Sequence, residues 1–149
     1  MNDLLTRTIA LTCPVEHAFD VFTRHVDLWW PRGHRRTREA TMVLEPAPGG
    51  RLLERAPGGE EWVIGKLTQF APPETLGFDW FPGSPSAPTA VTIVFARSAT
   101  GTEIRIAHRA IGTGAVAAWP DKVAVFARGW DTILPALKAF IETASGEIA

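Results

Sequence analysis

The feature that most constrains the fold is an apolar stripe with helical spacing in residues 119–144. Apolar residues recur there at steps of three and four, which places them along one side of a helix. The stripe consists of Val123, Phe126, Trp130, Ile133, Leu134, Leu137, Phe140 and Ile141. Such a helix gains most of its stability from packing its apolar side on another surface. We therefore expect the rest of the chain to supply a large apolar surface that this helix covers.

Three residues shape the prediction for this helix. Pro120 suits the first helical turn, where its missing N–H is not needed, so the helix is predicted to begin near Trp119 after a flexible link over 112–118. Gly129 costs roughly 1 kcal/mol relative to alanine inside a helix. Pro135 removes a backbone hydrogen bond. The sequence therefore predicts a long helix that is kinked near its middle.

The N-terminal part of the chain predicts one strand and two short helices. Residues 4–11 alternate loosely as a strand, and Pro14 suits the first position of a helix over 14–23. A second helical turn is predicted over 26–30, followed by a basic loop over 31–39.

From residue 40 the apolar period changes to two, which is typical of strands. Six strands are predicted, over residues 40–45, 51–55, 61–70, 75–81, 89–96 and 102–109. Proline- and glycine-rich turns separate them, and 82–88 is a loop, so an antiparallel meander is favoured. In the strand over 61–70, Trp62 and Ile64 are out of phase with Gly65 and Leu67, and the alternation leaves open which set faces the interior.

The order of elements predicts an α+β fold: a curved antiparallel sheet of about seven strands packed on a long kinked C-terminal helix, with two short helices after the first strand. At 149 residues the chain is expected to form a single domain.

The composition of the chain argues against several classes of function. The formal net charge is -1, so no strong field favours nucleic acid or a membrane surface. The single cysteine, Cys13, excludes a disulfide framework and a cysteine-based metal site. The N-terminus is unlike a signal peptide and no apolar run approaches a membrane span, so a cytoplasmic location is expected. No cofactor, metal site or catalytic residue set is predicted.

Several short segments resemble one family and together span nearly the whole chain. They are PVEHAF at 14–19, LWWP at 28–31, PGG at 48–50, GKL at 65–67, APP at 71–73, LGFDW at 76–80, TEIRIAH at 102–108 and GW at 129–130. In this order they resemble the START-like, helix-grip superfamily (the SRPBCC group), and within it the homologues of the C-terminal domain of the heat-shock-protein ATPase activator. The resemblance implies an elongated cavity between the concave sheet and the last helix.

Interior-facing residues are the candidates to line that cavity, although the same residues could form a solid core. The candidates are Trp29, Trp30, Met42, Leu44, Phe78, Trp80, Ile93, Phe95, Ile106, His108, Phe126, Trp130 and Leu134. His108 is in phase with Ile104 and Ile106. It is either a ligand-binding or acid–base group, or a core histidine satisfied by backbone or water.

The one concentrated basic stretch comprises Arg32, His34, Arg35, Arg36 and Arg38. His34 and Arg36 are candidates to contact an anion at the cavity entrance. The alternative is a solvated loop whose positive charge is balanced by Glu39 and Glu45.

The main functional hypothesis is binding of a small hydrophobic molecule, aromatic or acyl-type, in the cavity. One alternative is a cyclase- or dehydratase-type enzyme that uses His108. Another is a module that interacts with a chaperone ATPase. The single-domain length expected for this chain argues against this second alternative. A homodimer is compatible with the sequence, whereas nucleic-acid binding and membrane insertion are not expected.

Overall fold

The computed structural model describes residues 4–81 and 88–144. Within these ranges, seven strands form one antiparallel sheet that packs with three α-helices, which confirms the predicted α+β helix-grip fold. The strands are β1 (Leu4–Leu11), β2 (Thr41–Leu44), β3 (Arg51–Arg55), β4 (Glu61–Ala71), β5 (Thr75–Trp80), β6 (Thr89–Ser98) and β7 (Gly101–Ala110). The helices are α1 (Val15–Thr23), α2 (Val26–Trp29) and α3 (Gly112–Ala144). The loop predicted over 82–88 falls almost wholly outside the described residues.

The strand order across the sheet is β1-β7-β6-β5-β4-β3-β2. Strands β2 to β7 therefore form the predicted meander, in which each strand pairs with the next along the chain. Strand β1 pairs with β7, the strand that leads directly into α3. The first strand of the chain and the last helix consequently lie at the same edge of the sheet.

Strand register aligns one row of inward-facing side chains across the sheet. Leu5 lies opposite His108, His108 opposite Val91, Val91 opposite Phe78, and Phe78 opposite Leu67. All five residues are buried. Because paired residues share a face of the sheet, this row places His108 among apolar side chains on the covered face.

Strand β4 contains a bulge that explains its mixed alternation. Leu52 pairs with Gly65, but Leu53 pairs with the residue before Ile64, so Ile64 is an extra residue opposite β3. An extra residue reverses the phase of the strand beyond it. Ile64 before the change and Leu67 after it are therefore both buried. Each of the two sets left open by the sequence faces inward over its own part of the strand.

Helix α3 begins earlier than the sequence predicts. It starts at Gly112, so the flexible link expected over 112–118 is wrong, and Pro120 lies inside the helix and not in its first turn. Gly112 adopts a positive φ of 74°, which lets the chain turn from β7 directly into the helix. Ala115 and Trp119 are buried in the core, and this packing stabilises the additional helical turns.

The predicted stripe of α3 is buried on the sheet. Its most buried members, all at most 3% exposed, are Trp130, Ile133, Leu134, Leu137 and Ile141. Polar contacts fasten the helix to β1: the Arg7 guanidinium lies 2.7 Å from the Asp131 carboxylate, and Lys138 Nζ donates to the carbonyl oxygen of Ala10 at 2.6 Å. The kink near Gly129 stays a prediction. Although α3 has 33 residues, neither it nor another helix in the described ranges is apolar enough to cross a membrane.

Candidate functional site: an aromatic cluster around His108

His108 is fully buried, and both of its ring nitrogens are hydrogen-bonded to side chains. Trp130 Nε1 donates to Nδ1 at 3.0 Å, and Nε2 lies 2.7 Å from Thr89 Oγ1. Because an indole N–H can only donate, Nδ1 carries no proton and Nε2–H donates to Thr89. The Thr89 hydroxyl in turn donates to the carbonyl oxygen of Trp80 at 3.3 Å. One chain of hydrogen bonds therefore runs from α3 through β7 to β6 and β5.

Burial lowers the pKa of His108 from 6.5 to about 4, since an imidazolium there would lose its hydration. The ring is therefore neutral at pH 7, and neither nitrogen is free to contact a ligand. Of the alternatives from the sequence, the structure matches a satisfied core histidine. Its partners, however, are the side chains of Thr89 and Trp130, whereas backbone or water was expected.

Four aromatic rings surround His108, and we call these five residues the His108 cluster. The distances from the His108 ring centroid are 4.5 Å to Phe126, 5.4 Å to Trp80, 5.5 Å to Trp119 and 6.1 Å to Trp130. Trp80 comes from β5, and the other three rings come from α3. Trp119 was not a predicted site residue, because the sequence placed it at the start of the helix and not within it.

Two indoles of the cluster have unpaired donors. Trp80 Nε1 and Trp119 Nε1 are buried and have no hydrogen-bond partner in the described part of the chain. In contrast, the buried indole nitrogens of Trp29, Trp30 and Trp130 all donate to protein acceptors. Most buried N–H groups in folded proteins are paired, and an unpaired one costs about 1–3 kcal/mol. The cluster therefore presents two donors that an acceptor from outside the chain would satisfy.

Other predicted residues lie toward α1. Phe95 packs on Phe22 with ring centroids 5.8 Å apart, and Phe22 packs on Trp29 at 5.0 Å. Trp29 contacts Trp30, whose ring lies 6.4 Å from that of Trp80. Trp30 thus joins the α1 end of the interior to the His108 cluster, while Phe95 and Trp29 lie outside that cluster.

The remaining cavity candidates are all buried in the same core. They are Met42, Leu44, Phe78, Ile93, Ile106 and Leu134. Their predicted inward orientation agrees with this burial. Their role in lining a ligand cavity stays a prediction.

Glu54 is a buried carboxyl group that the sequence analysis missed. It lies on β3 between Met42 and Trp62 in the strand register and is only 3% exposed. Its Oε1 accepts the backbone N–H of Arg36 at 2.6 Å. Burial raises the pKa of Glu54, and the Arg36 N–H opposes the rise. Its phase with the inward-facing Leu52 was the signal that could have identified it.

The basic stretch is in part a structural element. The Arg35 side chain is 1% exposed and pairs with Asp27 at 2.5 Å, while it also donates to the carbonyl oxygens of two residues that flank the loop. Its counter-ion is therefore Asp27 and not Glu45, which pairs with another arginine. His34 and Arg36 are exposed, and their contact with an anion stays a prediction.

A groove of about 280 Å³ lies between α1 and the β4–β5 turn, apart from the His108 cluster. It is lined by Glu16, Phe19, Asp20, Thr23, Arg24, Phe70, Pro72 and Pro73. Its floor is apolar and its rim carries charges of both signs, so its chemistry selects no single kind of ligand. Within the described ranges, no group of three or more His, Cys, Asp or Glu side chains is arranged to hold a metal ion.

Solved structures share this fold at low sequence identity. A protein of unknown function from Staphylococcus aureus has a TM-score of 0.70 and 15% identity, with 96% of this chain and 95% of that chain covered. A protein from Nitrosomonas europaea has a TM-score of 0.68 and 16% identity, with 96% of each chain covered. DynU16, a protein in the dynemicin biosynthetic locus, has a TM-score of 0.71 and 18% identity; 96% of this chain is covered but only 48% of DynU16. These similarities establish the fold alone.

Comparison with curated proteins finds no match. In contrast, the family model described as Activator of Hsp90 ATPase homolog 1-like protein matches residues 12–142, which is most of the chain. The matched range includes α1, strands β2 to β7 and nearly all of α3. The chain therefore belongs to the Activator of Hsp90 ATPase homolog 1-like family.

Proposed function

We propose that the protein binds a small hydrophobic molecule, aromatic or acyl-type, between the sheet and α3. The observation that carries the proposal is the pair of buried indole donors, Trp80 Nε1 and Trp119 Nε1, which lack partners within the described residues. Most buried donors in a packed core are paired. Ligand sites, in contrast, combine apolar and aromatic walls with a few polar groups that bind and orient the ligand.

The hydrogen-bond chain through His108 favours binding because it holds the aromatic walls in place. The bond from Trp130 to His108 fixes the helix side, and the bond from Thr89 to the Trp80 carbonyl fixes the sheet side. A site whose walls are already ordered loses less conformational entropy when the ligand binds.

Phe126 marks the entrance in this proposal. It is only half-buried, whereas His108 and Trp130 of the same cluster are fully buried. Its ring nevertheless lies 4.5 Å from the His108 ring. A ligand that displaces or stacks on Phe126 would therefore reach the interior of the cluster.

The family and the fold are compatible with a ligand-binding domain of the SRPBCC group. DynU16 is described as a protein in the dynemicin biosynthetic locus, a context that is compatible with a small organic ligand. Because this chain spans about half of DynU16, that context supports only the general class of ligand.

A ligand screen by thermal shift and tryptophan fluorescence tests the proposal. Fatty acids, polyketides and polycyclic aromatic compounds are the three probe classes. A ligand that binds only the folded state at 100 times its Kd adds about 2.7 kcal/mol to the free energy of unfolding, which raises Tm measurably. No shift in Tm and no fluorescence change with any class would overturn the proposal.

Two neighbouring variants locate the binding site. Phe126→Ala removes a ring of the His108 cluster and should change the affinity for any ligand that the screen identifies. Val125→Ala alters the adjacent residue, which is 51% exposed, and should leave that affinity unchanged. Equal effects of the two variants would place binding outside the cluster.

A further inference from the structure

We infer that the ligand is a neutral aromatic compound with a carbonyl-type oxygen, which accepts hydrogen bonds from the indole N–H groups of Trp80 and Trp119. This inference rests on the proposed function and specifies the chemistry of its ligand. Among the residues described, these are the two tryptophans whose buried indole donors have no protein acceptor.

The two donors belong to one local environment. The Trp80 ring lies 5.4 Å from His108 and 5.8 Å from Phe126, and the Trp119 ring lies 5.5 Å and 5.9 Å from the same two rings. Trp80 is 8% exposed and Trp119 is 2% exposed. In the inferred complex, a single flat molecule beside Phe126 would contact the faces of several rings while its oxygen approaches an indole N–H.

The cluster has two donors without partners, whereas the two side-chain acceptors in its hydrogen-bond chain each already accept one bond. His108 Nδ1 already accepts from Trp130, and Thr89 Oγ1 already accepts from His108 Nε2. A ligand hydroxyl or amine would bring a further donor into this environment, and burying an unpaired donor is unfavourable. A ketone, quinone or ester brings acceptors only, so it matches the unpaired groups.

The same environment favours a neutral ligand. The four aromatic rings around His108 carry no charge, and His108 is uncharged at pH 7 because burial lowers its pKa to about 4. A carboxylate would lose its hydration there and gain no opposite charge from the cluster. The carbonyl oxygen of a ketone carries enough partial charge to accept the indole protons at a much smaller cost in hydration.

The test compares 9-fluorenone with fluorene, two planar molecules of similar shape that differ in one carbonyl oxygen. For the wild-type protein, 9-fluorenone should bind about tenfold more tightly than fluorene, because its hydrogen bonds to the two indoles replace hydrogen bonds to water with a modest net gain. Trp80→Phe and Trp119→Phe should each lower this ratio of affinities, and the double variant should bring it close to one. Since both probes lose the same ring area in each variant, the ratio isolates the hydrogen bond.

Trp62→Phe is the matched control. Trp62 is half-buried on β4, where the Arg36 guanidinium lies 4.9 Å from its ring centroid, and it is not part of the His108 cluster. This variant should keep the wild-type ratio of affinities. Thermal unfolding of each variant establishes that it is folded before its affinities are compared.

An NMR measurement on the wild-type protein gives a second readout. It uses no variant, so it does not depend on whether the variants fold. The indole N–H resonances of Trp80 and Trp119 should move downfield with 9-fluorenone and much less with fluorene. Those of Trp29 and Trp130 should change little, because their donors are already bonded to Val21 and His108.

Three outcomes overturn the inference. If both probes bind equally well, the indole donors do not recognise the carbonyl oxygen, and the proposed function still stands. If 9-fluorenone binds more tightly but the double variant keeps the ratio, the carbonyl group is recognised elsewhere. If neither probe binds, the inference fails, and the wider ligand screen then decides the proposed function separately.

Discussion

The indole N–H of Trp130 on α3 donates to Nδ1 of His108 on β7 at 3.0 Å, and both residues are completely buried. This bond joins the covering helix to β7, the second strand from one edge of the sheet. It also selects the tautomer of His108, since the indole N–H cannot accept a hydrogen bond from a protonated Nδ1. Apolar burial holds α3 against the sheet, and this directional contact helps to define which residue of α3 lies above which strand.

Replacing Trp130 by phenylalanine is expected to destabilise the protein more than the same change at Trp80. Trp130→Phe leaves His108 Nδ1 buried without a donor, which costs about 1–3 kcal/mol in addition to the lost ring area. Trp80→Phe removes a buried indole donor that has no partner among the described residues, so relief of that unpaired donor partly offsets the lost ring area. Urea unfolding followed by circular dichroism measures both changes, and an equal loss for both variants would contradict the assigned bond.

The stability of the fold is expected to fall as the pH drops from about 6.5 to about 4. The pKa of His108 is lowered to about 4 in the folded state, so over this range the unfolded chain binds more protons and protonation favours unfolding. The stabilisation from neutral His108 is complete above the pKa of histidine in the unfolded chain. It is lost as the pH falls to the lower pKa of His108 in the folded state. The loss from this group is on the order of 3 kcal/mol.

His108→Gln provides the comparison that isolates this effect. Glu54, whose pKa is raised by burial, acts in the opposite direction, because its protonation on acidification favours the folded state. It is present in both proteins, so its contribution cancels in the difference. The free energy of unfolding of wild type should therefore fall relative to His108→Gln between about pH 6.5 and about pH 4. Parallel pH profiles would show that His108 is not a buried neutral group.

Gly129→Ala is expected to stabilise the protein by roughly 1 kcal/mol, because alanine favours the helical conformation. Gly129 lies inside α3, and a Cβ atom built there meets nothing within 4 Å. The opposite result is expected for Gly101→Ala, since Gly101 has a φ of 146° and its Cβ would lie 2.6 Å from the carbonyl oxygen of Leu11. Thermal unfolding of the two variants should give shifts in Tm of opposite sign.

Arg35→Met is expected to destabilise the protein by roughly 3 kcal/mol, the low end for removing one partner of a buried ion pair. The change removes the arginine partner of the Asp27 carboxylate and one donor from each of three backbone carbonyl groups, although Asp27 still accepts from the backbone N–H of Met42 and keeps some contact with solvent. Arg24→Met removes an arginine of an exposed pair with Asp20 and should have little effect. Chemical denaturation compares the two, and a small effect at Arg35 would argue against its structural role.

The periodicity of the sequence predicted most, but not all, of the inward-facing residues. His108 is buried as its phase with Ile104 and Ile106 predicts, and Trp130 is buried as its place in the apolar stripe predicts. Where the pattern was ambiguous, as around Ile64, the cause was a bulge, which changes the phase within a strand. No pattern of single residues predicts a bulge, because a bulge depends on how two strands pair.

What the sequence by itself determined was the layout of elements and the face that each one buries. Backbone geometry repeats every 3.6 residues in a helix and every two in a strand, so local composition carries that information. Only the tertiary structure decided the partners: Trp130 and Thr89 for His108, Asp27 for Arg35, and the place of Trp119 in the cluster. Those contacts depend on strand register and helix docking, which are set by many distant residues together. The unpaired donors of the candidate site arise from the same docking, and single-residue patterns therefore could not reveal them.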